Sequence, residues 1–229
     1  MSKVFALIPA AGMGKRMGRV VAKQFLPLGG KPMLARTLLV FQQAPEIDEI
    51  IPILSPEDME MCLRDIVEAY AITKVRTLVA GGKERLDSVA NGMKKIGQDA
   101  SVVLVHDGVR PFVTPAMIAD CVCRAKNGEC VTIGVPVKDT IKEIDGKGRV
   151  VRTLSRSSLW AIQTPQAFPA AVLMQAYADA ARNGHAGTDD ATLVERTGAT
   201  VKVIMGSYEN IKITTPEDLI LAEEILKGR

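Results

Sequence analysis

Six short runs rich in Val, Ile and Leu, at residues 4–9, 49–54, 75–79, 102–105, 130–135 and 200–204, recur along the chain with amphipathic stretches between them. This rhythm restricts the fold more than any other feature: runs of that length predict strands, and the intervals suit crossover helices. Ser55-Pro56, Thr114-Pro115 and Thr215-Pro216 each place a hydroxyl at an N-cap and a proline at the first helical position. Ser55-x-x-Asp58 and Thr215-x-x-Asp218 have the form of capping boxes. Near-continuous apolar strands joined by helices predict an α/β fold: a doubly wound, mostly parallel, Rossmann-like sheet covered on both faces, with ligands beyond the carboxyl ends of its strands.

Residues 138–158 break the rhythm. The turn Asp145-Gly146-Lys147-Gly148 separates the alternating segments 140–144 and 150–154, which predicts a hairpin. A two-stranded ribbon with so few apolar residues is marginal in water, so it must pack on its own domain or on a second chain. With no internal repeat and no linker, residues 1–229 are expected to form one domain carrying a projecting β-hairpin arm at about 137–158.

Composition narrows the function classes. At 47% hydrophobic and 24% charged, the chain of 229 residues can bury enough surface to fold, and disorder is excluded. The net charge of +3 is too small to imply a nucleic-acid or membrane partner. Cys62, Cys121, Cys123 and Cys130 have neither zinc-site spacing nor the density of a disulfide scaffold, so reduced core cysteines are expected. No apolar run approaches the roughly 20 residues that span a bilayer, and a cytoplasmic location follows as the expectation.

Directly after the first run comes Ala10-Ala11-Gly12-Met13-Gly14-Lys15-Arg16-Met17-Gly18, small residues followed at once by two cations, with Lys23 seven residues beyond Arg16. Small residues let backbone N–H groups approach a ligand closely, and the cations supply charge where phosphate oxygens would lie. A dinucleotide fingerprint counted from Gly12-x-Gly14 requires glycine where Met17 stands. A P-loop counted from Gly12 requires Gly-Lys where Met17-Gly18 stands, so the loop is of another kind. It resembles the signature loop of the sugar-type nucleotidyltransferases, which wraps the triphosphate of the incoming nucleotide.

Further polar clusters follow the later runs: Gly81-Gly82-Lys83-Glu84-Arg85-Leu86-Asp87-Ser88, where backbone groups can read a base, and His106-Asp107-Gly108-Val109-Arg110-Pro111 at the ligand-facing edge. Trp160-Ala161-Ile162-Gln163-Thr164-Pro165-Gln166, Thr188-Asp189-Asp190 and Asn210-Ile211-Lys212-Ile213-Thr214 carry polar groups out of keeping with purely structural loops. In this order and spacing, from Lys3 to Ala222, the motifs resemble the 2-C-methyl-D-erythritol 4-phosphate cytidylyltransferases of the non-mevalonate isoprenoid pathway. Two departures stand out: Ala22 precedes Lys23 where the family commonly has proline, and Gly108 stands where alanine is common.

The resemblance implies a transfer in which a phosphate oxygen of the acceptor attacks the α-phosphorus of CTP and expels pyrophosphate. Such a nucleophile is already ionised, so no general base is needed, and positive charge is the main catalytic requirement. It gives catalytic roles to Arg16, Lys23 and Lys212, and CTP binding to Ala10, Ala11, Gly12, Gly14, Gly82 and Ser88. Methylerythritol phosphate falls to Asp107, Arg110 and Thr188, with Thr140 and Arg156 reaching over from the arm of a partner in a homodimer. Mg²⁺ is expected as the cofactor, held by CTP phosphates with no metal-ligating residue assigned. His106 is expected to orient the strand-end loop and His185 to be solvated. The rivals are the same chemistry on another polyol phosphate such as ribitol 5-phosphate, a silent nucleotide-binding regulator, and, last, a glycosyltransferase, which usually carries an Asp-x-Asp motif absent here.

Overall fold

The computed structural model describes residues 2–12, 22–184 and 187–229. The chain runs β1 (Lys3–Pro9), the short β2 (Pro27–Leu28) and β3 (Lys31–Pro32), α1 (Met33–Gln43), β4 (Glu49–Leu54) and α2 (Met59–Cys62), which continues as a π-helical stretch, Leu63–Glu68. Then come β5 (Val79–Ala80), α3 (Arg85–Met93), β6 (Ala100–Val105), α4 (Pro115–Lys126), β7 (Cys130–Pro136), β8 (Lys142–Ile144), β9 (Val150–Thr153) and β10 (Trp160–Pro169). The last elements are α5 (Ala170–Asn183), α6 (Asp190–Arg196), β11 (Val201–Met205) and α7 (Pro216–Lys227).

Seven strands make the central sheet in the order β11-β7-β10-β6-β1-β4-β5. All neighbours pair in parallel except β10, which runs antiparallel to both β6 and β7. The expected mostly parallel α/β sheet is therefore present. Burial on both faces explains the apolar strands: along β1, Val4, Ala6 and Ile8 pack with Leu38 and Phe41 of α1, while Phe5 and Leu7 pack with Val89 of α3 and Leu173 of α5. Each of these side chains larger than alanine contributes about 1.5–3 kcal/mol. The chain leaves β1 for β4 on one side and returns to β6 on the other, so the ends of β1 and β6 flank a topological switch point.

The local signals hold at two of three helix starts. Thr114 accepts from Met117 N–H (3.3 Å), and Thr215 and Asp218 cap each other's backbone. At the third, Ser55 Oγ turns to the Asp58 carboxylate (2.6 Å) instead of capping, and the segment starts as a 3₁₀ turn at Pro56–Asp58. The strand expected over 75–79 joins the sheet only as Val79–Ala80, with an isolated bridge between Val75 and Ile50.

The largest correction is β10, whose residues 160–166 read as a polar loop. Its Gln166 is fully buried, donating to Thr132 Oγ1 (3.1 Å) and Asp189 Oδ2 (2.7 Å) and accepting from Ala191 N–H (3.0 Å). Satisfied polar side chains thus occupy a core strand without apolar patterning.

The hairpin forms as β8 paired with β9, closed by Asp145 Oδ1 accepting from Lys147 N–H and Arg149 N–H (both 2.9 Å), with Gly148 at φ +78°. All seven of its strand residues are exposed. Among the cysteines, Cys62, Cys121 and Cys130 are buried free thiols, with burial pushing Cys62 and Cys121 up to about 12, but Cys123 is exposed on α4. No helix among the described residues is long and apolar enough to cross a membrane.

Candidate active site

Backbone bonds continue beyond the strand ends and hold three turns side by side. Ala10 N–H donates to Ile53 O (2.7 Å), Gly81 N–H to Leu54 O (2.7 Å) and Gly108 N–H to Pro9 O (3.1 Å). Only glycine fits at 81, where a Cβ would lie 2.5 Å from that of Ala11. Gly82 N–H donates to Ser88 Oγ (3.0 Å), which donates to Glu84 O (3.0 Å), binding the turn to the start of α3. A capping box of Glu84 and Asp87 fixes that start.

These turns line a cavity of about 200 Å³, with Ala10, Ala11, Gly12, Gly82 and Ser88 in its wall and Lys23 and Lys212 beside it. The backbone of small residues, a helix start and two ammonium groups suit an anion. Lys23 opens a 3₁₀ turn whose buried Gln24 lies against Asp58. Lys212 is held by its neighbours: Ile213 is fully buried with its N–H on Val109 O (3.0 Å), and Asn210 donates to Gln163 Oε1 (3.2 Å) and Thr164 O (3.0 Å).

A second cavity, of about 240 Å³, adjoins the first and is lined by Arg110, Gln163, Thr164, Gln166, Thr188 and Asp189. Arg85, Asp107 and Lys212 stand in both linings, so the two spaces share a wall of charged side chains. Asp107 meets Lys212 Nζ at 3.0 Å, Arg110 Nε at 3.4 Å and Arg85 Nε at 3.5 Å. Arg85 also bonds the fully buried Asp190 (Nη2 to Oδ2, 2.7 Å), whose other oxygen accepts from Tyr177 Oη (2.5 Å). Three cations against two carboxylates leave one positive charge over (3 − 2 = +1) where an acceptor phosphate would add anions.

Burial alone would push the Asp107 carboxyl up, but Lys212, Arg85 and Arg110 together outweigh it and hold the group well below the ordinary carboxylate range. Burial pulls Arg110 down. For Arg85 burial also acts downward, yet Asp190 and Asp107 prevail and raise it. Beneath the wall, His106 is wholly buried; Arg110 O accepts from Nε2 (3.1 Å), and Nδ1 faces Thr164 Oγ1 (3.1 Å). Burial lowers it to about 4, so the ring is neutral and orients the loop, as expected.

The structure therefore gathers Ala10, Ala11, Gly12, Gly82, Ser88, Lys23, Lys212, Asp107, Arg110 and Thr188 at one edge of the sheet. Gly14, Arg16 and His185 lie outside the described residues. Thr140 and Arg156 line neither cavity of their own chain; Arg156 Nη1 instead donates to Lys138 O (2.6 Å). Gly108 faces Ala10 and Leu34, where a Cβ would lie 2.9 and 3.0 Å from their side chains, so its departure from alanine bears on the β1 turn. Sequence reasoning gave no role to Arg85, Gln163, Thr164 or Asp189; each sits in a motif it singled out, but their partners lie far along the chain.

The family model for 2-C-methyl-D-erythritol 4-phosphate cytidylyltransferase matches residues 4–228. Relatives bearing that description include one from Alkaliphilus metalliredigens, 49% identical over 228 residues (100% of this chain, 95% of the relative). Another, from Geotalea uraniireducens, is 50% identical over 228 residues (99% and 97%). The crystal structure of 4-diphosphocytidyl-2C-methyl-D-erythritol synthase from Anaerococcus prevotii superposes with a TM-score of 0.87 at 35% identity, covering 99% of this chain and 96% of that one.

Proposed function

The chain belongs to the 2-C-methyl-D-erythritol 4-phosphate cytidylyltransferase family, and from that premise we propose that the two adjoining cavities are its nucleotide and acceptor sites. It is a nucleotidyltransferase of isoprenoid biosynthesis, transferring the cytidylyl group of CTP to 2-C-methyl-D-erythritol 4-phosphate. One observation supports this placement most: Arg85, Asp107 and Lys212 line both cavities, so reactants bound on either side would lie next to each other.

In this reading the base and ribose lie against Ala10, Ala11, Gly12, Gly82 and Ser88, and Arg16 and Lys23 hold the triphosphate. Lys212 faces the α-phosphate, while Asp107, Arg110 and Thr188 hold the acceptor. An acceptor phosphate oxygen attacks the α-phosphorus, the bond to the β-phosphate oxygen breaks, and pyrophosphate leaves. The side chains supply position and fixed positive charge. Among the described residues no group of three or more His, Cys, Asp and Glu could hold a metal, and Asp107 is already engaged by three cations. We therefore assign Mg²⁺ to the nucleotide's own phosphates and water, where it would neutralise charge on them.

The exposed arm, with Ile144, Val150 and Val151 each about 60% open to solvent, suits a homodimer in which each copy lends Thr140 and Arg156 to the other's acceptor cavity. Residues 1–229 act as one domain with its arm, working in the cytoplasm with its thiols reduced. The direct test is pyrophosphate release with CTP, Mg²⁺ and methylerythritol 4-phosphate, beside ribitol 5-phosphate and with ATP, GTP and UTP replacing CTP. Release confined to CTP and methylerythritol phosphate is expected; turnover with ribitol phosphate instead would move the acceptor assignment.

A further inference from the structure

Arg85 is the first residue of α3, set directly behind the turn that lines the nucleotide cavity. Its guanidinium spans two carboxylates on two other elements: Asp107 just past β6, at 3.5 Å from Nε, and Asp190 at the start of α6, at 2.7 Å from Nη2. Among the described residues these are its hydrogen-bond partners; Nη1 is buried without one. Asp190 has Tyr177 as a second anchor, so the Arg85–Asp190 pair already secures α6. The reach to Asp107 fixes something else. Asp107 uses Oδ2 for Lys212 and Arg110 and Oδ1 for Arg85, so the plane of its carboxylate depends on Arg85. Thr188 and Asp189, beside Asp190, line the same cavity as Asp107. A planar fork can hold two carboxylates at once; a lysine ammonium, compact and without a fixed plane, is poorly suited to do so.

We propose that Arg85 is a positioning residue for the acceptor, fixing Asp107 relative to Thr188 and Asp189 so that the acceptor phosphate is presented to the nucleotide. This rests on the reading of Asp107 as an acceptor ligand, and a double-mutant cycle separates the two. Arg85→Gln is expected to lower kcat/KM for methylerythritol phosphate about 10- to 100-fold, the effect of slight misplacement of a reactant. The dissociation constant of CTP, measured without acceptor, should change less than about threefold, since the Arg85 guanidinium is taken up by Asp107 and Asp190. Arg85→Lys should regain thermal stability but not acceptor kcat/KM. In an Asp107→Asn background, Arg85→Gln should add little. Full additivity, or an Arg85→Gln protein that melts earlier yet keeps acceptor kcat/KM, would leave Arg85 a structural brace and overturn the proposal. Should Arg85→Gln not fold, Arg85→Lys with wild-type acceptor kcat/KM overturns it equally. An Asp107→Asn enzyme with unchanged acceptor kcat/KM would instead remove Asp107 from the acceptor site, and the proposal with it.

Discussion

The two cavities are built in opposite ways. The side assigned to the nucleotide is built on three turns locked by ladder hydrogen bonds, with small residues so that amides approach a ligand. The side assigned to the acceptor is made of side chains brought together from five distant segments, with Asp107 at the centre of three cations. Turns held by their own backbone bonds do not depend on the charges around them for their shape. A wall of paired charges is structural and functional at once, and changes there should affect folding and substrate together.

Asp107→Ala is the strongest test of that contrast. It leaves Arg85, Arg110 and Lys212 facing one another in a largely buried wall, and breaking such a cluster costs about 3 kcal/mol, the low end of the range because Lys212 is 40% exposed. Stability to urea and acceptor turnover should fall together. Unchanged stability would mean that the charged wall is not structural. Lys23→Ala should do the reverse, lowering turnover roughly 10²-fold or more with the melting temperature held, as expected for a cation that acts on developing phosphoryl charge. A Lys23→Ala protein that unfolds, or one with full activity, would erase the difference between the sides.

Acid should act through the acceptor side. His106 titrates near 4 when folded against about 6.5 when unfolded, so its contribution is complete above about 6.5 and is lost as pH falls towards 4. Between pH 6.5 and 5 this amounts to about 2 kcal/mol. Asp107, held low in the fold, adds a loss that begins as pH falls into the ordinary carboxylate range and grows below it. Denaturation at several pH values, with and without His106→Gln, checks the assignment; an identical acid slope in the variant would move the effect to another group.

The same contrast decides what the sequence reveals. The nucleotide side is legible because a backbone site must be contiguous: Ala10-Ala11-Gly12 and Gly81-Gly82 are adjacent residues directly after apolar runs. The parallel sheet is legible for a similar reason, since strands buried on both faces cannot hide their composition. β10 is not, because Gln163, Thr164 and Gln166 are satisfied by Ser207, His106, Thr132, Asp189 and Ala191, partners that no local pattern announces. Arg85 and Asp190 are 105 positions apart, and only the fold makes them a pair. The arm is visible as a hairpin, but the destination of Thr140 and Arg156 follows from family resemblance, since neither reaches a cavity in its own chain.

The smallest expected effect probes the close approach of the turns themselves. Gly108 follows Asp107 yet faces away from the acceptor, and an added Cβ would lie 2.9 Å from Ala10 Cβ and 3.0 Å from Leu34 Cδ1. Leu34 is fully buried in the core, and Ala10 Cβ is fixed to a backbone whose N–H is tied to Ile53, so neither yields freely. Gly108→Ala should therefore cost on the order of 1 kcal/mol, the low end for overpacking. Its functional cost should fall across the wall, as a small loss of CTP affinity with acceptor KM unchanged, because the displaced residue belongs to the nucleotide turn. Paired titrations of CTP and acceptor, with melting curves, read both effects. A loss confined to the acceptor would show that the wall transmits strain towards its charged side, and the turns could no longer be treated as an independent, rigid half of the site.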